Sequence, residues 1–311
     1  MTGKTDILCI GVALVDSIIR DFDPEPVSAS GYRAGSGTLK AGGEAVNQAV
    51  AAVRLGMRTE ILCSLGTDAA GDMVMNCLEQ AGVGTAPVIR PEDHPTPVTT
   101  IFVREDGSRK SITNLAHRYN FHPERYVSCL DGTRAVILGS LFRAPFDDPG
   151  IITGVLRAAR EAGTAVFADT KLPNYQLLTL EDLKDALQLI DYITPNEDEA
   201  RYYTGKEDPA GMAEVFLRYG IRNVIIKLGG KGCYFRNAQE EYRLPPMKVR
   251  AVDSTGAGDC FIAGFASEIL RGSTHEKALR FANACGAICT TAVGAGTALK
   301  SRDQVLQFLN G

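Results

Sequence analysis

The residues best placed to do chemistry are Asp253-Ser254-Thr255-Gly256-Ala257-Gly258-Asp259, which run directly into an apolar helical stretch over 260–270. Gly256 and Gly258 permit a tight turn and a close backbone approach to a ligand. The first N–H groups of the following helix have no intrahelical partner, so they point into the mouth of that turn and form an anion site. Asp259 stands in the first helical turn beside it. An anion cradle next to a carboxylate suits phosphoryl transfer to a hydroxyl, where positioning and charge stabilisation supply most of the catalysis. The same residues would also make an ordinary glycine turn whose acid complements the helix dipole. Local sequence leaves both readings open.

The elements that must hold this turn follow from hydrophobic periodicity. Residues 6–12 read as a buried strand ending near Gly11, with Asp16 just beyond it. From 17 to 40 there is no helical period, and the Gly, Ser and Pro content suits short strands and loops. Gly42-Gly43 opens a helix to about 55, followed by a strand over 58–65 and a helix over 69–81. Segments 98–103 and 108–113 flank Asp106-Gly107, a hairpin signal. With 17–40, this hairpin is expected to form a small sheet apart from the main one. From 134 onward the pattern alternates: strands at 135–138, 164–168, 192–194 and 223–227; helices at 149–162, 180–190, 197–204 and 209–219. Short strands at 232–236, 240–244 and 247–251 come next, and helices at 257–271, 275–292 and 302–309 close the chain. The order predicts an α/β fold with a mainly parallel sheet covered on both faces. One domain over 1–311 is expected, with a β excursion from about 14–40 and 96–120.

Composition bounds the function. The chain has 311 residues, 45% hydrophobic and 23% charged, as in a globular protein. Its net charge of −4, from 33 basic and 37 acidic residues, implies no broad basic surface for nucleic acid. No apolar run reaches membrane-spanning length, and Asp6 interrupts the N-terminal apolar stretch, so no signal peptide and a cytoplasmic location are expected. Of the eight cysteines, Cys9, Cys63, Cys233 and Cys260 lie in apolar segments, and no Cys-x-x-Cys occurs. Free thiols in a reducing compartment are expected.

Several alternatives fall away. Gly3-Lys4-Thr5 lacks the rest of a P-loop, no Gly-x-Gly-x-x-Gly follows a strand, and no Gly-x-Ser-x-Gly occurs. His94, His117, His122 and His275 show no metal-ligand spacing. What remains resembles a known family. Gly42-Gly43-x-x-x-Asn47-x-Ala49 and Asp253 to Asp259 are similar to the two signatures of the PfkB (ribokinase-like) carbohydrate kinases. Asp16, Asn196-x-x-Glu199 and Lys227-Leu228-Gly229-Gly230-Lys231-Gly232 fall between them in the family's order, and the resemblance runs from about 6 to 309. Within the family the sequence is most similar to the YdjH-type bacterial sugar kinases.

The resemblance implies a ribokinase-like α/β/α sandwich with a small β-sheet lid, and transfer of the ATP γ-phosphoryl group to a primary hydroxyl of a monosaccharide or sugar acid. It makes Asp259 the base and Gly256, Ala257 and Gly258 the anion hole. An acid at a helix N-terminus is favoured in its ionised form, so Asp259 is expected to be available at pH 7 without a raised pKa. Asp16, Gly42, Gly43 and Asn47 match sugar contacts, a set of groups that suits a polyol. Asn196 and Glu199 match positions near the phosphates, with Glu199 reaching Mg²⁺ through water; they also form the pattern of a capping box, and both roles are compatible. Lys227, Gly229, Gly232 and Asn283 fall on the nucleotide side, although Lys227 replaces a hydroxyl residue common there. Asp253, Thr255 and Gly294 resemble a monovalent-cation site, which would take K⁺. A homodimer through the lid sheet is also implied.

Substrate choice is less determined. Arg33, Arg104, Arg118, Arg143 and Lys171 could face the acceptor and would suit a sugar acid or sugar phosphate. Lys171-Leu172-Pro173 departs from the Asp-x-Asn-x-Arg pattern common in fructokinases and 2-keto-3-deoxygluconate kinases. A nucleoside or sugar-phosphate kinase, and an idle sugar- or nucleotide-binding regulator, stay open as alternatives.

Overall fold

The computed structural model describes residues 5–22, 31, 33–106, 108–114 and 121–311. In chain order the elements are β1 (Ile7–Gly11), β2 (Leu14–Arg20), β3 (Ser36–Gly42), α1 (Glu44–Arg54), β4 (Thr59–Leu62), α2 (Ala69–Ala81), β5 (Val98–Val103) and β6 (Arg109–Thr113). They continue as β7 (Ala135–Leu141), α3 (Pro149–Glu161), β8 (Ala165–Thr170), α4 (Lys184–Leu187), β9 (Tyr192–Ile193), α5 (Glu197–Thr204), α6 (Pro209–Arg218), β10 (Asn223–Lys227), β11 (Cys233–Arg236) and β12 (Glu241–Leu244). The helices α7 (Ala257–Leu270), α8 (His275–Cys289) and α9 (Arg302–Asn310) follow.

Eight strands form one sheet in the order β12-β11-β10-β9-β8-β7-β1-β4. Pairing is parallel from β10 to β4 and antiparallel only where β11 and β12 extend the edge. The apolar runs predicted as buried strands are buried on both faces. Ile7 and Cys9 of β1 enter the core under α1, α7 and α8, whereas Leu8 and Ile10 enter the core under α3 and α6. Because β1 lies between β4 and β7, strand order reverses at β1. Such a reversal opens a crevice outside the carboxyl ends of the strands.

The two β excursions join in a second sheet, ordered β3-β2-β5-β6. β2 pairs parallel with β5, and the outer strands pair antiparallel. The hairpin forms as predicted between β5 and β6, but Gly107 of its turn lies outside the described residues, as do Gly3, Lys4, His117 and Arg118.

Two expected elements differ. Segment 247–251 is not a strand: Pro245-Pro246 offers no N–H to a ladder, and the chain leaves the sheet after Leu244. The helix expected over 180–190 shrinks to a 3₁₀ turn at Glu181–Leu183 and the single turn of α4. Leu183, at φ −114° and ψ 9°, interrupts the helical path between them.

α7 is buried along most of its length, and its position fixes everything at its N-terminus. A Cβ on Gly264 would stand 2.8 Å from Cys285 Sγ, so α7 and α8 are in close contact. On the sheet side, the Phe265 ring packs edge-on against Phe167 and Tyr192, with centroids 6.1 and 5.2 Å away. Phe265→Ala is expected to lower the unfolding free energy by about 3–5 kcal/mol, read from urea transitions of unchanged slope.

Candidate active site

Asp259 lies in the first turn of α7, at the crevice, and is 7% exposed. Two amides of α1 hold its carboxylate: Asn47 Nδ2 donates to Oδ2 at 3.0 Å and Gln48 Nε2 donates to Oδ1 at 3.1 Å. The entry to α1 is made by Gly43, whose φ of 97° suits glycine; a Cβ there would stand 2.3 Å from Val12 O. The preceding Gly42 packs on Asp16, and a Cβ would stand 2.2 Å from Asp16 Oδ2. The glycine pair thus places Asp16 of β2 and Asn47 of α1 around one opening.

Gly256 caps α7 at φ 77°, and a Cβ on it would stand 2.8 Å from Ala295 Cα. The N–H groups of Gly256, Ala257 and Gly258 form the end of the helix, although that of Ala257 donates within the turn to Ser254 O at 3.2 Å. Beside them, Asp169 at the end of β8 accepts from Lys227 Nζ at 2.6 Å and from Thr194 Oγ1 at 3.0 Å. Lys227 Nζ lies 3.1 Å from where a Cβ on Gly258 would stand, so its charge adjoins the helix end. Lys227 therefore both ends β10 and faces the turn. Asn196 and Glu199 form the predicted capping box, and Glu199 Oε2 accepts also from Thr170 Oγ1 at 2.8 Å.

One cavity of about 1320 Å³ joins these groups. Asp16, Gly43, Asn47, Thr255, Gly256, Ala257, Gly258 and Asp259 line it together with Asn196, Glu199, Lys227, Gly229, Gly232 and Asn283. Gly42, Asp253 and Gly294 do not. Residues 247–249 of the segment expected as a strand line the same cavity, as does Pro246 before them. Of the basic residues considered for the acceptor, Arg143 and Lys171 reach it; Arg33 and Arg104 do not, and Arg118 lies outside the described residues.

Asp253, Thr255 and Gly294 are close together, and their polar side-chain atoms are engaged with one another and with a basic side chain. Asp253 Oδ1 accepts from Thr255 N at 3.0 Å and Thr255 Oγ1 at 2.7 Å, and Oδ2 accepts from Gly294 N at 2.9 Å. Arg109 of β6 donates to Asp253 Oδ1 at 3.0 Å and to Thr255 Oγ1 at 2.8 Å. Although burial pushes the Asp253 carboxyl up, hydrogen bonds from Thr255, Gly294 and Arg109 outweigh it and hold the group well below the usual carboxylate range.

The electrostatics of Asp259 differ from the sequence expectation. Burial, then the carboxylates of Glu44 and Asp169, push its pKa up to about 7, against the opposing pull of Lys171 and the Asn47 hydrogen bond. The helix end was expected to keep it an ordinary ionised acid; desolvation in a crowd of acids wins instead. A carboxylate with a pKa near the working pH is a better proton acceptor than one near 4. Burial and Glu44 raise Asp16 likewise, to about 6. Burial also raises Glu199, with Asp169 adding to the effect and Lys227 opposing it.

Four residues around this site escaped the sequence reading. Gln48 and Glu44 flank the signature asparagine on α1, where helical spacing puts both within a turn of it. Asp169 ends an apolar strand at the crevice edge, a position that could have flagged it. Ser140 lines the cavity at 2% exposure, and its hydroxyl has no hydrogen-bond partner among the described residues.

Comparison with known proteins gives a consistent result. The family description "pfkB family carbohydrate kinase" matches residues 4–302. A ribokinase of Haemophilus influenzae is 32% identical over 273 residues, covering 86% of this chain and 87% of the relative. A 2-dehydro-3-deoxygluconokinase of Bacillus subtilis is 29% identical, covering 85% of each. The structure of Arabidopsis thaliana ribokinase complexed with ribose and ATP superposes with a TM-score of 0.86 at 25% identity, covering 99% of both chains.

In the ligand-free protein, a carboxyl ¹³C titration of Asp259 is expected to show a midpoint near 7. Glu44→Gln removes a like charge and should move that midpoint toward acid, whereas Lys171→Met should move it toward alkali. A midpoint near 4 that ignores both changes would show that the burial of Asp259 does not govern its ionisation.

Proposed function

The chain belongs to the pfkB family of carbohydrate kinases and is a sugar kinase, a phosphotransferase with an alcohol acceptor; we propose that it moves the γ-phosphoryl group of ATP to the primary hydroxyl of a neutral monosaccharide, with Asp259 as the base. The observation behind this is the buried Asp259 carboxylate, held by Asn47 and Gln48 at the mouth of the glycine turn.

Asp259 accepts the proton of the attacking hydroxyl late in the step, because phosphoryl transfer passes through a loose transition state. The N–H groups at the start of α7 and the Lys227 ammonium face the charge gathering on the transferring group. The nucleotide extends along Asn196, Gly229, Gly232 and the 246–249 segment toward Asn283, all lining one cavity. Glu199 Oε2 and Asp169 Oδ1 are engaged by donors, and each residue keeps a second carboxylate oxygen without a donor among the described residues. That donor set fits Mg²⁺ carried with the nucleotide and held through water. Bound there, Mg²⁺ would neutralise phosphate charge.

The acceptor is neutral because the charges near Asp259 are already arranged against an anion. Asp16, Glu44 and Asp259 share the opening, Lys171 pairs with Glu44 at 3.5 Å, and Arg143 Nε donates to Leu172 O at 2.8 Å. A carboxylate or phosphate on the sugar would be desolvated beside three acids, with the Lys171 ammonium already paired to one of them. Ser140, its hydroxyl unpaired among the described residues, and the inner-face residues Thr99 and Thr113 suit sugar hydroxyls.

ADP release over a panel of neutral sugars, sugar acids, sugar phosphates and nucleosides tests this. A neutral monosaccharide is expected to be turned over best, and Asp259→Asn to lower kcat by about 10²–10⁴-fold. Preference for a nucleoside or an acidic acceptor, or full rate in Asp259→Asn, would sink the assignment.

The face of the lid sheet turned away from the cavity supports a homodimer. The row Leu39–Ser17–Thr100–Ile112 runs across all four strands, and its outer members are 60% and 67% exposed. Light scattering at micromolar concentration is expected to give twice 33.3 kDa for the native protein and one copy for Ile112→Lys. A monomeric native protein would remove the dimer.

A further inference from the structure

The turn at the start of α7 works as an anion site only if its backbone is held still. Two loops do this together. Gly294 N donates to Asp253 Oδ2 at 2.9 Å, and Gly256 packs on Ala295. Asp253, whose side chain is 8% exposed, is the bond between them. A carboxylate so little hydrated needs a cation nearby.

In this chain the cation is a side chain of the lid. Arg109 of β6 places one guanidinium nitrogen 3.0 Å from Asp253 Oδ1 and the other 2.8 Å from Thr255 Oγ1. A second charge approaches from the opposite edge of the same sheet: Lys40 Nζ of β3 lies 2.8 Å from where a Cβ on Gly294 would stand. A diffusible cation at Asp253, Thr255 and Gly294 would meet both, and would compete with a guanidinium that already bonds two of the oxygens. Both charges belong to the sheet that also carries Asp16, Thr99 and Thr113 to the cavity. Lowering the lid therefore brings the cation and the acceptor contacts together.

We propose that Arg109, assisted by Lys40, takes the place of a monovalent cation at the 253–259 loop, so that turnover needs no potassium and the loop is completed when the lid is down. Arg109 also lines the cavity, and its contacts with Asp253 and Thr255 make it a positioning residue that acts on the phosphoryl group through the turn they anchor. An acceptor that draws the lid down would also settle the anion site, which ties phosphoryl transfer to a filled acceptor pocket.

The rate measurement rests on the kinase reading above, and a melting measurement without ligands does not. Native protein is expected to show the same kcat and the same Tm in potassium, sodium and choline chloride at equal ionic strength. Lys40→Met/Arg109→Met should lose at least about tenfold in kcat in choline, with a smaller change in acceptor KM, because the loss lies in the transition state. Potassium should recover much of that loss, and low guanidinium should do the same in Arg109→Met. Without ligands, potassium should raise the Tm of the double variant by about 2–4 °C over choline. Three results would each overturn the proposal: potassium activation or a potassium-raised Tm in the native protein, full rate of the double variant in choline, or a loss that neither cation relieves. If no acceptor in the panel is turned over, the melting comparison decides alone.

Discussion

The constraint on which the rest depends is the burial of one carboxylate at the end of a helix. Asp259 is removed from water by α1 and the sheet, and among the described residues its hydrogen-bond donors are two neutral amides, Asn47 and Gln48, with the Lys171 charge adding a pull from nearby. Leaving a buried charge so lightly compensated costs free energy, and the structure meets the cost by letting the group hold its proton up to about pH 7. That requirement reaches outward. α1 must lie where its second turn touches α7, which in turn requires the glycine pair at its entry and the reversal of strand order at β1. α7 must stay seated on Phe167 and Tyr192.

Around this carboxylate the charges are paired in a particular way. Lys227 serves Asp169 and Lys171 serves Glu44, so each lysine faces the cavity with a partner beside it. Ammonium groups held like this are preorganised, with little rotamer freedom left to lose. Asp16 and Asp259, without an ion pair of their own among the described residues, have pKa values pushed up to about 6 and about 7. The end of the cavity at Lys227 and the end at Asp16 therefore differ in electrostatic character.

Much of this was legible in the sequence, for reasons that can be named. α2 and α5 fall where periodicity and capping residues put them, because Asp68 and Asn196 supply local signals that no distant contact overrides. The glycine turn and Asp259 were legible because backbone geometry is a local property. Gln48 and Asp169 were not, since their meaning lies in contacts with residues far along the chain. The Asp259 pKa was misjudged for the same cause: the helix end is visible locally, while Glu44 and Asp169 are brought beside it only by the fold. The stretch at 247–251 alternates like a strand, but two prolines detach it from its neighbour.

The lid has a further consequence, for the order in which the molecule assembles. Its two halves meet in a parallel contact running from Val15 against Val98 to Arg20 against Val103. Between those segments lie β3 of the lid itself and then α1, β4 and α2. Closing a loop of that length carries an entropic cost that nothing within the lid can offset until the intervening helices and strand have packed. Pairing of the second sheet is thus expected to follow the packing of those elements.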